Sequence, residues 1–277
     1  MVAIQRIAII GTGFSPTGDK IPPSEIAAIA GPGFRPELIE TKLSVFPGTP
    51  YERGIAALGY IEAGIRAQDE GYDAVLINTF GDYGITELKS ALRIPVVGAG
   101  ESAMSLAAML GRKFAIITIW PKSLNFIFEE RVASCGMAAR FGGLVNVLDD
   151  TEMGLRGTEQ DPVVAMRGAK SAMIERIVAA AEQAIAKMGV DTIALGCTCM
   201  APIGSLIAQR LAVPVVEPMT AGYAATEMLL SLGVRQSKLA FAAPGEGALN
   251  LARQLVGEVA MSTEVACEPC AIAAAAE

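Results

Sequence analysis

Gly71-Tyr72-Asp73-Ala74-Val75-Leu76-Ile77-Asn78-Thr79 and Gly189-Val190-Asp191-Thr192-Ile193-Ala194-Leu195-Gly196-Cys197 are two versions of one phrase, 118 residues apart. Each sets a glycine and an aspartate ahead of a short apolar run, then ends on a small polar residue. Further on, Arg93-Ile94-Pro95-Val96-Val97 is answered by Ala212-Val213-Pro214-Val215-Val216, at an offset of 119. Each copy reads as strand, loop, helix, strand and a further helix, so two related lobes are the simplest reading. Their expected limits are 1–100 plus 218–277 for the first and 101–217 for the second.

Outward from the repeat, short apolar runs alternate with longer amphipathic stretches, the pattern of α/β proteins with parallel sheets flanked by helices. Strands are expected at Arg6–Ile10, Leu43–Phe46, Ala74–Asn78, Pro95–Gly98, Phe114–Thr118, Leu144–Val147, Thr192–Leu195 and Pro214–Glu217. Helices are expected near Pro50–Glu70, Gly84–Ala91, Glu101–Leu110, Lys122–Cys135, Asp161–Met188, Pro202–Leu211, Thr220–Leu232 and Glu246–Val256.

Composition narrows the function classes. Of 277 residues, 52% are hydrophobic, yet the apolar runs are short. None reaches the roughly 20 residues of a membrane-spanning helix. Met1–Ile10 reads as a buried first strand rather than a signal peptide. The formal charge is −7 without a basic cluster, which argues against nucleic acid as a partner because phosphate binding needs a basic face. A cytoplasmic protein acting on small molecules is expected. Alanine- and methionine-rich helix faces point to a homo-oligomer.

The chain has no histidine, so proton transfer near neutral pH falls to Cys, Asp, Glu, Lys, Tyr or water, and imidazole metal sites are excluded. Its five cysteines are an odd number without an export signal, so reduced thiols are expected rather than a disulfide framework. Cys267 and Cys270 have redox-motif spacing but lie in an alanine-rich tail and read as incidental.

Thr79 and Cys197 each follow a strand and precede a helix, where open α/β sheets place their ligands. Facing lobes would bring them to a shared cleft. Ahead of Pro202, the amides of a helix start would stabilise a Cys197 thiolate or a bound carboxylate, with Thr198 beside it. The other reading of Cys197 is a buried packing thiol, and Cys199 reads as packing. Asn78, Thr79, Phe80 and Gly81 offer hydroxyl, amide and backbone donors for a carboxylate or enolate oxygen. Asp82 reads as a cap on the following helix. Thr12 and Ser15, after the first strand, suit a small-anion loop, since the third glycine of a dinucleotide motif is absent. Thr118, Lys122 and Ser123 lie after another strand and are further candidate ligands.

Phe80-Gly81-Asp82-x-Gly84, Ile94-Pro95-Val96-Val97-Gly98, Glu101-Ser102-Ala103-Met104, Leu110-Gly111-Arg112-Lys113-Phe114 with Thr118, and Leu195-Gly196-Cys197 with Met200-Ala201 together resemble the aspartate/glutamate racemase superfamily, particularly its hydantoin and allantoin racemase branch. The resemblance implies two pseudo-symmetric lobes with four-stranded parallel sheets, an active site between them and no cofactor. It also implies a small carboxylate or hydantoin-like substrate and two catalytic cysteines, one from each lobe. Cys197 matches the second. The first falls on Thr79, a poor base at neutral pH. Isomerisation by proton transfer next to a carbonyl, with Cys197 as acid/base, is the leading expectation. The alternatives are a decarboxylase with one cysteine, as in the similar arylmalonate decarboxylase, and a non-catalytic small-anion-binding protein on the same scaffold.

Overall fold

The two Gly-x-Asp phrases have the same physical role in the computed structural model, which describes residues 4–11, 20–43, 45–153 and 161–261. Gly71 (φ 77°) and Gly189 (φ 62°) follow the helices Pro50–Asp69 and Ser171–Met188 in the left-handed region, where a side chain is disfavoured. The Asp73 carboxylate then accepts the backbone N–H of Arg6 at 2.7 Å, and that of Asp191 accepts the N–H of Lys113 at 3.1 Å. In return, Asp73 N–H donates to the Arg6 carbonyl (2.8 Å) and Asp191 N–H to the Lys113 carbonyl (3.0 Å). Each aspartate thus clamps its strand to the start of a neighbour.

From that clamp the strands run in register. In the first sheet, β1 (Gln5–Gly11) pairs with β2 (Phe34–Glu40) and with β3 (Ala74–Ile77), and β3 pairs with β4 (Val96–Gly98). The second sheet repeats this with β5 (Phe114–Thr118), β6 (Phe141–Asn146), β7 (Thr192–Leu195) and β8 (Val215–Val216). Both sheets have four strands and every pairing is parallel, in the orders β2-β1-β3-β4 and β6-β5-β7-β8. The α/β class and the paired sheets therefore stand as expected. Pro95 and Pro214 precede the edge strands, where a missing N–H costs no ladder bond, and their carbonyls accept from Val75 and Ile193 at 2.9 Å each.

The helices in chain order are α1 (Ser24–Ile29), α2 (Pro50–Asp69), α3 (Ile85–Ala91), α4 (Ala99–Leu110), α5 (Asn125–Ser134), α6 (Asp150–Met153), α7 (Pro162–Arg167), α8 (Ser171–Met188), α9 (Ala201–Ala208), α10 (Pro218–Leu232) and α11 (Glu246–Met261). Met173, Ile177, Val178, Ala181 and Ala184 make the buried stripe of α8 and join Ile117, Ile193 and Leu195 in one core. Ile65, Leu88 and Val96 join Ala8, Ile10 and Ile77 in the other. Two compact units result: residues 1–78, 82–98 and 222–277, and residues 79–81 with 99–221. No helix among the described residues is long and apolar enough to cross a membrane.

Three local expectations need correction. The second strand is Phe34–Glu40, whereas the described residues of 43–46 are not extended into a sheet. Arg35, Pro36 and Glu37 hid it, because they break the apolar pattern. An edge strand accepts proline, and the charge is paired. The helix expected over Asp161–Met188 is broken into α7 and α8 at Gly168–Lys170, where Ala169 takes φ 50°. Lys122–Leu124 is a 3-10 turn ahead of α5, and the short helices α1 and α6 had no clear sequence signal.

Glu37, only 5% exposed, explains how β2 holds its edge. It accepts from Arg6 Nε (3.2 Å), Arg6 Nη2 (3.0 Å) and Tyr72 Oη (2.6 Å), with Arg35 Nε at 2.9 Å. The Arg6 guanidinium is the main reason that its carboxyl is held at about 2, against burial, which opposes ionisation. Because the folded pKa lies below the unfolded 4.5, the stabilisation is fully present above 4.5 and is lost as pH falls toward 2. A shift of this size is worth about 3 kcal/mol. The Glu37→Gln variant is therefore expected to be less stable than the parent in urea melts at neutral pH, with the gap closing as the pH is lowered through 4 toward 2.

Candidate active site

Strand β7 ends against a neighbour that leaves no room for a side chain. Gly196 N–H donates to the Ile117 carbonyl at 2.7 Å, which carries the ladder one step beyond the strand. A Cβ at Gly196 would lie 2.7 Å from Thr118 Cβ and 3.0 Å from Ile116 Cγ2. Thr118 is fully buried, and its Oγ1 accepts from Trp120 N–H at 3.2 Å, which fixes it in place. The glycine lets β5 and β7 stay in contact to their carboxyl ends. Between these strands the chain order reverses its direction across the sheet, the position where open α/β sheets bind ligands.

Cys197 follows at once, extended (φ −154°, ψ 136°) and half-buried. It opens a 3-10 turn, Thr198–Met200, that runs into α9 with Pro202 in the first turn. Met200 is fully buried and its N–H donates to the Cys197 carbonyl at 3.1 Å, so the hydrophobic core holds the turn. Cys197 Sγ accepts the N–H of Cys199 at 3.2 Å. The two sulfurs are bonded as a disulfide, with Cα atoms 5.2 Å apart. That corrects the expectation of reduced thiols throughout and of Cys199 as packing alone. The tight turn brings the side chains of residues 197 and 199 to the same side, which spacing alone did not reveal. Cys135 stands outside the disulfide, and its sulfur accepts from Arg131 Nη2 at 3.2 Å.

The equivalent loop after β3 repeats the first backbone bond but neither the 3-10 turn nor the side chains. Asn78 N–H donates to the Ile10 carbonyl at 2.9 Å, as Gly196 does to Ile117. Thr79 Oγ1 is buried and has no hydrogen-bond partner among the described residues. Phe80 is seated by the Phe128 ring, centroids 5.3 Å apart. Thr79, Phe80 and Gly81 belong to the same compact unit as Cys197. At the start of the following helix Gly84 (φ 74°) takes the N-cap position. Asp82 is itself left-handed (φ 46°) and 1% exposed, with its carboxyl in the space that a side chain on Gly98 would need. The bare Cα of Gly98 is what admits it.

The remaining candidates divide. Thr118 lies beside Gly196, and Thr198 is buried next to Cys197. Lys122 and Ser123 are exposed, and the Ser123 hydroxyl donates to the Asp150 carboxylate. Thr12, Ser15, Cys267 and Cys270 lie outside the described residues. Sequence reasoning passed over Glu217, at the end of β8. Its carboxylate accepts from Met219 N–H (2.7 Å), Thr220 N–H (2.8 Å) and Thr220 Oγ1 (2.9 Å), so it fastens the start of α10. A glutamate just before a proline-led helix was its only signal.

The profile of the Asp/Glu/hydantoin racemase family matches residues 26–226, across both sheets. A hydantoin racemase from Pseudomonas sp. (strain NS671) is 32% identical over 189 residues, 68% of this chain and 71% of the relative. The chain belongs to the Asp/Glu/hydantoin racemase family. Its enzyme class is isomerase, of the racemase type. Two solved structures share its fold. Allantoin racemase from Klebsiella pneumoniae has a TM-score of 0.72 over 87% of this chain and 94% of that one, and at 24% identity it speaks to fold alone. Allantoin racemase from Pseudomonas fluorescens has a TM-score of 0.70 at 28% identity, over 87% of this chain and 97% of that one. In this racemase-family protein, Gly196→Ala is expected to cost about 1–3 kcal/mol, because either β5 or the added methyl must move. A lowered urea midpoint with an unchanged slope would register it.

Proposed function

We propose that this racemase-family protein moves a proton at the carbon next to a carbonyl of a small hydantoin-like or carboxylate substrate. In its reduced form, Cys197 is the acid/base. The thiolate takes the proton from carbon, and the electron pair moves to the carbonyl oxygen as an enolate. The Thr79 hydroxyl and the neighbouring Phe80 and Gly81 N–H groups donate to that oxygen; water protonates the opposite face of the enolate, and the hydroxide so formed takes the proton from the Cys197 thiol. The observation that carries the reading is the Thr79 hydroxyl, buried in the same unit as Cys197 and without a hydrogen-bond partner among the described residues. A buried hydroxyl left without a partner costs free energy that a bound oxygen would recover. The substrate class rests on the hydantoin racemase relatives and the allantoin racemase structures.

A second reading shares this chemistry. Thr79 supplies no thiol, so an enolate formed by loss of carbon dioxide would be protonated from the Cys197 side alone. A decarboxylase would therefore use the same two residues, with one handed product. Incubation of reduced protein with 5-substituted hydantoins and with small α-substituted malonates in D₂O separates the two. Deuterium entering recovered hydantoin at its carbon–hydrogen centre is the expected outcome, whereas carbon dioxide release from the malonate would favour the decarboxylase. Cys197→Ala should lower either rate by about a thousandfold or more. Thr79→Val should lower kcat by roughly a hundredfold with a smaller change in KM, because the hydroxyl acts on charge that develops in the transition state. Full activity in Cys197→Ala, with the fold intact by circular dichroism, would remove both readings.

A further inference from the structure

We propose that Cys197 and Cys199 form a reversible modification site, a dithiol that a hydroperoxide closes and a thiol reductant reopens. For its effect on activity, this rests on Cys197 being the acid/base. The bonded sulfurs and the Cα separation of 5.2 Å place the two side chains within reach of each other. The reach does not depend on the bond alone. Met200, fully buried, and its N–H bond to the Cys197 carbonyl anchor the 3-10 turn that carries both cysteines, so the pair stays close when reduced. Both residues are half-buried, which gives a small oxidant access to sulfur. The Cys199 N–H is aimed at Cys197 Sγ at 3.2 Å, a further contact that holds residues 197 and 199 on the same side of the turn. Cys135, with its sulfur facing Arg131, lies on α5's carboxyl end and takes no part in the turn.

The chemistry balances with one named oxidant. The Cys197 thiolate attacks the outer oxygen of a hydroperoxide, the O–O bond breaks, and the alkoxide or hydroxide leaves with a proton as alcohol or water. The resulting sulfenic acid is attacked by the Cys199 sulfur, and its hydroxyl group departs as water once the Cys199 proton is taken up. Two thiols have lost two hydrogens, and the peroxide has accepted two electrons. Reopening runs through a mixed disulfide: a reductant thiol attacks one sulfur, a second releases it, and both cysteines regain their protons. A disulfide sulfur carries no proton and accepts none near neutral pH, so the closed site cannot move a proton at carbon. The bond also shields Cys197 from further, irreversible oxidation.

The site is tested on the full chain with hydrogen peroxide, followed by alkylation and tryptic mapping. The peptide Met188–Arg210 holds both cysteines and no other. After peroxide it should resist alkylation and weigh less by two hydrogens; after dithiothreitol it should take two alkyl groups. Turnover of hydantoin should fall by about a hundredfold on closure and return with dithiothreitol. Cys199→Ser should be active when reduced, but peroxide should inactivate it in a form that dithiothreitol no longer fully reverses. A wild-type peptide that still takes two alkyl groups after peroxide overturns the proposal whatever the activity does. So does a Cys199→Ser variant as reversible as the parent. A closed peptide with unchanged turnover would instead overturn Cys197 as the acid/base, with the modification site left standing.

Discussion

Two carboxylates set the frame on which the site depends. Asp73 and Asp191 each accept the N–H of a residue at or next to the start of the neighbouring strand, and each returns its own N–H to that residue's carbonyl. A parallel pair has no hairpin to fix its register, so something else must. Here the register is set at the amino end, and four strand residues later it has delivered Asn78 and Gly196 beside the ends of β1 and β5. The residues that follow, Thr79 and Cys197, inherit their positions from a bond made at the far end of the strand. The preceding glycines are part of the same device, since only a left-handed residue turns the chain from helix to clamp so abruptly.

This explains why so much of the fold was legible. Gly-x-Asp, the apolar run and the later Pro-Val-Val each serve a local contact, and both copies carry them. β7 was read to its ends, because four apolar or β-branched residues between an aspartate and a glycine leave little choice. β2 was misplaced for the opposite reason. Its stability comes from Glu37 paired with Arg6, Arg35 and Tyr72, partners up to 35 residues away that no local pattern displays. The break between α7 and α8 turns on a left-handed Ala169, a residue type that gives no warning of it.

The site was legible in part. Position after a strand marked Cys197 and Thr79, and the structure adds what each side chain meets. Thr79 ends in a buried hydroxyl with no hydrogen-bond partner among the described residues; Cys197 ends against the sulfur of Cys199. The second fact was hidden because the relation of residues i and i+2 depends on the turn between them. In a strand they would share a face, and in an α-helix they would diverge by about 200°. The 3-10 turn after an extended Cys197 brings them together. The place of Asp82 was hidden for a similar reason: with its left-handed backbone, its carboxyl lies against Gly98, a contact that sequence spacing does not display.

The two sheets also show how a repeated scaffold changes the residues at its strand ends without losing its packing. Ile10 pairs with Ile77, and Ile117 with Leu195, so the next residues along are Gly11 beside Asn78 in one sheet and Thr118 beside Gly196 in the other. In each pair one residue has no side chain and the other a short polar one, but the glycine has changed strands. The combined volume at the strand ends is thus similar, which a close-packed layer requires. The polar group moves from the third strand in the first sheet to the first strand in the second. With Thr118 buried beneath it, Gly196 leaves the chain unencumbered where Cys197 begins. In the other sheet Asn78 occupies that place, directly before a hydroxyl rather than a thiol. The two strand ends can therefore carry different side chains, a thiol after one and a hydroxyl after the other, since the exchange that separates them keeps the surrounding core filled.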